Sequence, residues 1–455
     1  MNFFVMKIKH VPRHALSDAG RLHLGAKSDL LVCLEDLSEA QSVAPSVTNA
    51  IIDGAVVVQM LKPGAAKTFQ EYADQMFIPY ISGQLQNVSR LDLVWDSYRG
   101  DSLKATARAK RGKGVRRRVI ESAPIPGNWQ NFLRVDLNKK ELFTFLSKSL
   151  IKSFNKATKE LVVTDGEQVF CVPSQTDLHL LSPCNHEEAD SRMMLHVAHA
   201  AQHGHQKILV RTVDTDVVVL AVMVSQTLPA GAELWLAFGT GKNFRYLAAH
   251  RMSSCLGPQR SLALPMFHAL TGCDTVSAFV GHGKKTAWKT WNSLPELTGS
   301  LLTLAHAPTE IPEESKQAIE RFVILIYDRT STYTDINKAR KKLFTKKSSV
   351  LRIPPTRAAL EQHVKRAAFQ GGHIWGQSLL PQPALPSPCS WGWTKTDGLY
   401  EPHWTTLPEA SKTCYELVSC GCKKGCVNRC KCKKAALQCT ALCQCEGECT
   451  RNESS

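Results

Sequence analysis

The sequence predicts an α/β protein with a mainly parallel sheet, followed by a small cysteine-rich module. Short apolar runs alternate with segments of helical spacing through most of the 455 residues, a pattern typical of a layered fold with parallel strands. Acidic residues directly follow several of the apolar runs. Nine of the 16 cysteines lie between Cys420 and Cys449, so the C-terminal part differs in composition from the rest of the chain.

Five apolar runs predict the strand cores, and two segments with helical spacing predict helices between them. The strands are expected at residues 50–61, 90–95, 160–164, 207–213 and 233–237. The helices are expected at residues 141–154 and 189–202. The chain shows no internal repeat, and residues 1–45 give no clear structural signal.

Composition limits the possible partners. The net charge of +16 and the pI near 9.2 favour a polyanionic partner, nucleic acid before membrane. The longest apolar run, 217–224, is far shorter than the roughly 20 residues that span a bilayer, so we expect no membrane segment. Residues 1–10 do not resemble a secretory leader, which predicts a reducing compartment and cysteines that bind metal rather than pair.

Seven carboxylates form the candidate site. Functional groups of a parallel sheet collect beyond the carboxyl ends of its strands. Four acidic residues follow apolar runs, two lie in the segment HEEADSRM, and one lies in GCDTVSAF. They are Asp53, Asp96, Asp214, Asp216, Glu188, Asp190 and Asp274.

Spacing suggests how two pairs of these carboxylates converge. Asp214 and Asp216, in VRTVDTDVVVL, are two residues apart and would point to the same side of an extended chain that ends its strand at Val213. Glu188 and Asp190 would converge only in the first turn of a helix, for which Asn185 is the expected cap.

Crowded carboxylates repel one another unless cations lie between them, and their hard oxygens suit Mg²⁺ or Mn²⁺. Two such ions about 4 Å apart can activate water and stabilise the leaving oxygen of a phosphodiester. For any single aspartate, a helix cap or turn residue is the ordinary alternative. The strand-end placement of the whole set favours metal binding.

The order of IIDGAVVV, LVWDSYRGDSLKATARAKRG, EEAD, DTD and GCDTVSAFVGHGKKTA resembles flap endonuclease and related structure-specific 5′ nucleases of the PIN-like fold, over residues 48–290. The resemblance implies an endonuclease or exonuclease whose seven carboxylates, at the positions named above, hold two metal ions. It also implies that Lys104 and Arg111, seven residues apart, contact the scissile phosphate.

The last of these segments looks like the start of the family's helix-two-turn-helix, which grips duplex backbone. The resemblance gives DNA contacts to Gly281, Gly283, Lys284 and Lys285. Thr275 replaces the aromatic residue usual after Asp274, and the family's start-of-chain motif is not recognisable in residues 1–45.

Two further patterns leave alternatives open. The basic run 110–118, KRGKGVRRR, fits a solvated loop as well as it fits phosphate contact or nuclear targeting. His196, His199 and His203 have spacings that could present a metal-binding face, although a polar helix surface is the favoured interpretation.

The cysteine module has the spacing C-x-C-x3-C-x3-C-x-C-x6-C-x3-C-x-C-x3-C. Nine thiolates cannot all pair as internal disulfides, but they fill the twelve places of three tetrahedral zinc ions if three of them bridge. Metal binding would supply the folding energy of so short a segment. The nine ligands are Cys420, Cys422, Cys426, Cys430, Cys432, Cys439, Cys443, Cys445 and Cys449.

This spacing, through Asn452, closely resembles one tesmin-type CXC domain, a DNA-binding module with a three-zinc, nine-cysteine cluster. The resemblance implies that Arg429 enters the DNA minor groove, where a narrow electronegative groove suits an arginine. It implies phosphate contacts for the lysines of the module, which are Lys423, Lys424, Lys431, Lys433 and Lys434.

Together these patterns predict a nuclear, DNA-directed nuclease in which the cysteine module tethers a PIN-like domain to DNA. The alternative is a non-enzymatic DNA-binding or chromatin protein that keeps the nuclease fold as a scaffold. The expected divisions are an unassigned segment at 1–45, the PIN-like domain at 46–300, a helical extension at 301–378, a Pro/Trp-rich connector at 379–415 and the CXC module at 416–455.

Overall fold

The structure is a computed structural model of the chain. It describes seven stretches and seven of the C-terminal cysteines. The stretches are residues 17–18, 21–22, 25–109, 114–156, 158–174, 177–346 and 353–405, and the cysteines are Cys420, Cys422, Cys426, Cys430, Cys432, Cys439 and Cys443. No helix within these stretches is both long enough and apolar enough to cross a membrane.

A seven-stranded sheet lies at the centre, and two short hairpins lie outside it. The strands are β1 Ser17–Asp18, β2 Arg21–Leu22, β3 Asn49–Asp53, β4 Arg90–Val94, β5 Glu160–Asp165, β6 Gln168–Val172, β7 Lys207–Thr212, β8 Glu233–Phe238, β9 Arg245–Ala248, β10 Trp393–Thr396 and β11 Leu399–Pro402. The sheet has the order β6-β5-β4-β3-β7-β8-β9, with parallel inner strands and an antiparallel strand at each edge. The predicted mainly parallel α/β fold is confirmed.

Helices cover both faces of the sheet. The α-helices are α1 Ser28–Glu35, α2 Gly54–Met60, α3 Phe69–Tyr72, α4 Ile78–Leu85, α5 Leu103–Ala109, α6 Trp129–Leu133, α7 Asp136–Ser153, α8 Ala189–Gln202, α9 Thr215–Val224, α10 Ala249–Leu256, α11 Pro258–Leu270, α12 Lys284–Asn292, α13 Leu297–Ala305, α14 Glu313–Tyr327, α15 Ile336–Lys346 and α16 Arg357–Ala368. Ala73–Phe77 and Phe369–Ile374 are π-helical, and Gly241–Asn243 and Pro388–Trp391 are single 3₁₀ turns.

Four of the five predicted strands are confirmed to within one residue, and the fifth is wrong in its second half. The run 50–61 leaves the sheet at Asp53, whose side chain accepts a hydrogen bond from the backbone N–H of Val56 and caps α2. Val57 and Val58 of α2 are buried in the helix, because packing outweighs the weak helix propensity of β-branched residues. Gly54 is required there, since a Cβ would lie 2.3 Å from the ring of Trp95.

The two sheet faces pack into different hydrophobic clusters. Successive residues of a strand point to opposite faces, so Ile51 and Ile52 of β3 belong to different clusters. The cluster that contains Ile51 includes Leu30 of α1 and continues through α9 and α11 to Phe322 of α14 and Leu360 of α16. Residues from the predicted helical extension, and from the unassigned N-terminal segment, therefore share one core with the sheet.

The described part of the Pro/Trp-rich connector packs against the helices. Trp391 and Trp393 are buried, and the Trp391 ring meets His373 edge to face at 4.5 Å between centroids. Arg366 donates a hydrogen bond to the carbonyl of Gly392. These tryptophans therefore fix the connector to the helices. Disordered linkers rarely contain tryptophan, so the composition of the connector agrees with an ordered segment.

Candidate metal centre

Three adjacent parallel strands deliver carboxylates to one edge of the sheet. Asp53 ends β3, while Asp96 and Asp214 follow β4 and β7 by two residues each. Strands β4, β3 and β7 are neighbours, so their carboxyl ends meet at the same place. The order of the strands therefore brings together the carboxylates that the sequence analysis placed at strand ends.

Asp214 and Asp216 converge through a helix cap. Asp214 stands at the cap position of α9, and its Oδ1 accepts a hydrogen bond from the backbone N–H of Asp216 at 2.9 Å. The hydroxyl of Thr212 accepts from the N–H of Asp214 at 3.0 Å. Asp216 therefore lies in the first turn of a fully buried helix, and the run 217–224 is helical rather than extended.

Glu188 and Asp190 lie where α8 begins, as their spacing required, but the expected cap is wrong. Glu188 occupies the cap position without a capping hydrogen bond from its side chain. The N–H of Ala189 instead donates to Oδ1 of Asp96 at 2.9 Å. Asn185 does not cap the helix, because its side chain donates to the carbonyl of Pro383 at 3.4 Å. One carboxylate of the set thus anchors the helix that carries two others.

Mutual repulsion at this edge is visible in the pKa values. Burial and the charge of Asp96 raise the pKa of Asp53 to about 7. Burial and the charge of Asp214 raise the pKa of Asp190 well above its usual range, and burial with Asp216 raises the pKa of Asp214. Oxygen atoms of Asp190, Asp214 and Asp216 all lie within 4.8 Å of one another. Such a group could hold a metal ion, because a hard cation would relieve this repulsion.

Asp216 is the most firmly held member of the set. Its carboxylate accepts a hydrogen bond from Nε2 of His268 at 2.8 Å and another from the ammonium of Lys27 at 2.7 Å. Burial opposes ionisation of Asp216, but these two contacts outweigh it and keep its pKa low. Burial and Lys284 lower the pKa of His268 to about 4, so the imidazole is neutral and donates from Nε2.

Lys27 joins three of the carboxylates. Besides Asp216, its Nζ lies 2.8 Å from Oδ1 of Asp274 and 3.7 Å from Oδ1 of Asp214. No role is predicted for residues 1–45 from the sequence, and no local pattern around Lys27 marks it. Only the docking of the helix that follows it, α1, places it at the site.

Lys104 lies beside the carboxylates and forms an ion pair with Glu188. Arg111, its expected companion, lies outside the described residues. Arg108, one turn after Lys104, is engaged elsewhere, with Glu187 and Asp136 at 2.8 Å each. At the end of the basic run, Arg116 pairs with Glu141, while Arg117 and Arg118 are exposed.

The glycine and lysine segment after Asp274 differs from expectation at one position. Gly281, Gly283 and Lys285 are exposed, but Lys284 is only 2% exposed. It begins α12 on the face whose later positions, 287, 288 and 291, are buried in the core. Its ammonium donates to the carbonyl of His268 and the hydroxyl of Thr271, and burial lowers its pKa to about 7. This geometry removes Lys284 from the surface expected to meet DNA.

The two histidines of α8 are buried in the interior of the protein. His196 is fully buried and hydrogen bonds through Nδ1 to Asp92 at 2.8 Å, and His199 is 1% exposed. The favoured prediction of a polar helix surface is therefore wrong for these two histidines, because this face of α8 packs on the sheet beside the buried pair of Arg90 and Asp92, whereas His203, after the end of the helix, is exposed. In the sequence, Arg90 and Asp92 lie two residues apart within a predicted strand, and this spacing could have indicated the buried pair.

The connector lines one approach to the site. A cleft of about 390 Å³ lies beside Lys104 and Glu188, and its lining includes Phe369, Pro386 and Tyr400. A ligand that reached these charged side chains through the cleft would therefore contact the packed connector.

The described cysteines lie close enough to share metal ions. The Sγ atoms of six of the seven described C-terminal cysteines form two groups of four, 420/426/430/439 and 420/432/439/443, and Cys422 belongs to neither group. Neighbouring Sγ atoms are 3.5 to 3.9 Å apart. A zinc–sulfur bond of about 2.3 Å gives a tetrahedral edge of roughly 3.8 Å, so the spacing suits zinc. The two shared thiols, Cys420 and Cys439, stand where bridging ligands are needed.

Several residues predicted for the C-terminal module lie outside the described residues. They are Cys445, Cys449, Lys423, Lys424, Arg429, Lys431, Lys433 and Lys434. Comparison with known proteins adds no family: no family model matches the chain, and no curated protein matches it.

Proposed function

We propose that this chain is a metal-dependent, DNA-directed nuclease whose zinc-binding cysteine module tethers it to DNA. One observation carries the proposal: carboxylates from three adjacent parallel strands and two helix N-termini meet at one sheet edge, where burial and mutual repulsion raise the pKa values of Asp53, Asp190 and Asp214. Divalent cations are the simplest groups that would balance such buried like charges.

The donor set fits Mg²⁺ or Mn²⁺. All candidate ligands are carboxylate oxygens, which these hard ions prefer. When bound, a divalent ion supplies an acidified water and offsets negative charge on a phosphodiester. The candidate ligands are Asp53, Asp96, Glu188, Asp190, Asp214, Asp216 and Asp274.

The protein's own residues position this set. The cap of α2 fixes Asp53, the start of α8 fixes Asp96, and His268 fixes Asp216. Lys104 lies at the open side of the edge, next to Glu188, where its ammonium would steady the scissile phosphate. Preorganised groups of this kind stabilise developing charge without having to rearrange during the reaction.

The partner follows from charge and from the cysteines. The net charge of +16 favours a polyanion, and four-thiol groups with zinc-like spacing support a folded, lysine-rich C-terminal module. Tethering would raise the local concentration of DNA at the carboxylates. We propose a nuclear location on the same grounds, with the basic run 110–118 as a targeting segment.

Cleavage of flap, gapped and plain duplex DNA with Mg²⁺ or Mn²⁺ tests the proposal. We expect the wild type to cut at least one substrate, and the double variant Asp214→Asn, Asp216→Asn to lose roughly a hundredfold or more of that rate. Glu313→Gln, at an exposed position of α14, is the matched control and should cut as the wild type does. EDTA should stop cleavage.

A non-enzymatic DNA-binding protein is the second candidate, and one observation favours it. The ammonium of Lys27 already balances Asp214, Asp216 and Asp274, as a resident cation in an inactive scaffold would. If every protein in the assay leaves all substrates intact while still shifting them on a gel, the scaffold is the correct interpretation.

A further inference from the structure

The cations of the carboxylate edge are distributed unevenly. Lys27 lies among Asp214, Asp216 and Asp274. Across the described stretches of the chain, no lysine or arginine nitrogen lies within 4.0 Å of the carboxylates of Asp53, Asp96 or Asp190. The site therefore has one part that is neutralised from within and another part that still needs a cation.

Lys27 is held rigidly in its place. It immediately precedes α1, whose Leu30, Leu31 and Leu34 are buried in the same core as the sheet. That helix packs against both α9 and α12, the elements that carry Asp216 and follow Asp274. The side chain of Lys27 is only 20% exposed, so it is part of the interior rather than a mobile surface group.

The ammonium of Lys27 is also committed to carboxylates. Its Nζ donates a hydrogen bond to Asp216 at 2.7 Å and forms ion pairs with Asp274 at 2.8 Å and Asp214 at 3.7 Å. Three carboxylates within 4 Å of one ammonium favour its charged form. A lysine engaged in this way acts as a counterion to these carboxylates.

We propose that Lys27 takes the place of one metal ion, so that the centre binds a single divalent cation and uses the ammonium as its second positive charge. This inference rests on the proposed function, because it assigns the metal content of the same site. The divalent ion would then be bound through Asp190, which Lys27 does not contact, together with Asp53 and Asp96 rather than with Asp214 and Asp216. A fixed +1 charge among Asp214, Asp216 and Asp274 would repel a second ion entering that part.

Counting bound Mn²⁺ tests the inference on the zinc-loaded full chain. Equilibrium dialysis, with free Mn²⁺ measured by electron paramagnetic resonance, should give one ion for the wild type and two for Lys27→Met, the second binding about tenfold or more tighter than any second ion in the wild type. Lys27→Arg keeps the charge and should bind one. Lys395→Met, on the exposed strand β10, is the matched control and should also bind one.

Thermal unfolding provides a readout independent of activity. Without Mn²⁺, Lys27→Met should unfold at a lower temperature than Lys395→Met, because three carboxylates have lost their cation, and Mn²⁺ should raise its midpoint by more than it raises that of the wild type. If Lys27→Met does not fold, Lys27→Gln keeps a hydrogen-bond donor without charge and should still bind two ions.

Two results would overturn the inference, and they differ in what else they remove. If the wild type and Lys27→Met bind two ions each, Lys27 does not replace a metal, and the proposed nuclease stands. If none of the variants binds Mn²⁺, the metal-dependent nuclease falls together with this inference.

Discussion

The site depends on single side chains that hold its carboxylates in position. Asp216 shows this most clearly, since it is buried, ionised and held by a neutral histidine from α11 and by Lys27. Neither partner is close to it in the chain, being 52 and 189 residues away. A partner of this kind orients a metal ligand and tunes its basicity without contacting the ion.

Replacing that histidine should weaken metal binding. In the Lys27→Met background, where a second Mn²⁺ is expected among Asp214, Asp216 and Asp274, His268→Leu removes a hydrogen bond that fixes the Asp216 carboxylate, so we expect the affinity for that second ion to fall about 10-fold to 100-fold. Calorimetric titration with Mn²⁺ measures the change. His306→Leu, an exposed histidine bonded to its own helix, is the control. Equal Mn²⁺ affinity in the two folded variants would show that His268 has no positioning role.

At the scale of elements, the geometry of the site comes from the points where strands become helices. Asp53 and Asp214 each end an extended segment and cap the helix that follows, while Asp96 caps α8 from another strand. Helix caps need short polar side chains, so the ordinary explanation for a single aspartate is correct for these residues. The cap interpretation and the metal interpretation are therefore compatible, since capping places a carboxylate at the positive end of a helix.

The buried ion pair of strand β4 should be essential to stability. Asp92 accepts two hydrogen bonds from Arg90, at 2.7 and 2.8 Å, and both side chains are fully buried. Asp92→Asn would leave the buried guanidinium with only the more distant Glu160, at 3.6 Å, as its counterion, so we expect a loss of about 3 kcal/mol in the free energy of unfolding. Urea denaturation measures it. Glu313→Gln breaks an exposed pair with Lys316 and should cost under about 1 kcal/mol; similar losses in both variants would contradict the prediction.

At the scale of the whole molecule, one continuous core joins parts that the sequence separates. The predicted boundary near residue 300 falls within α13, whose Leu297, Leu301 and Leu304 share one hydrophobic cluster with the neighbouring helices. Within that core lie several neutral histidines. Burial lowers the pKa of His363 to about 3 and that of His199 to about 4. At mildly acidic pH these histidines are protonated in the unfolded chain but not in the folded chain.

Stability should therefore fall as the pH falls below about 6.5. Between pH 6.5 and the lowered pKa, the unfolded chain binds a proton at His363 that the folded chain does not. The stabilisation of the folded chain by the neutral His363 is therefore fully present above pH 6.5 and is lost on acidification. The loss in the free energy of unfolding amounts to about 2 kcal/mol at pH 5. Urea denaturation between pH 7.5 and 5 should show a shallower pH dependence for His363→Gln than for the wild type. Parallel curves would exclude this histidine as a source of acid sensitivity.

The sequence by itself determined the α/β class, four of the strands, the strand-end carboxylates and the crowding of cysteines. These features depend on periodicity and spacing, which are local properties of the chain. Local patterns could not distinguish a buried strand from a buried helix, so the residues after Asp53 were wrongly predicted as strand. Packing decided them, because both conformations bury the same apolar residues.

Only the tertiary structure decided which distant groups complete the site. It placed Lys27 among three aspartates, joined His268 to Asp216 and turned Lys284 into the core. These contacts arise when α1, α11 and α12 dock on the sheet. Because such docking joins residues far apart in the chain through shape and charge, no spacing rule within the sequence encodes it.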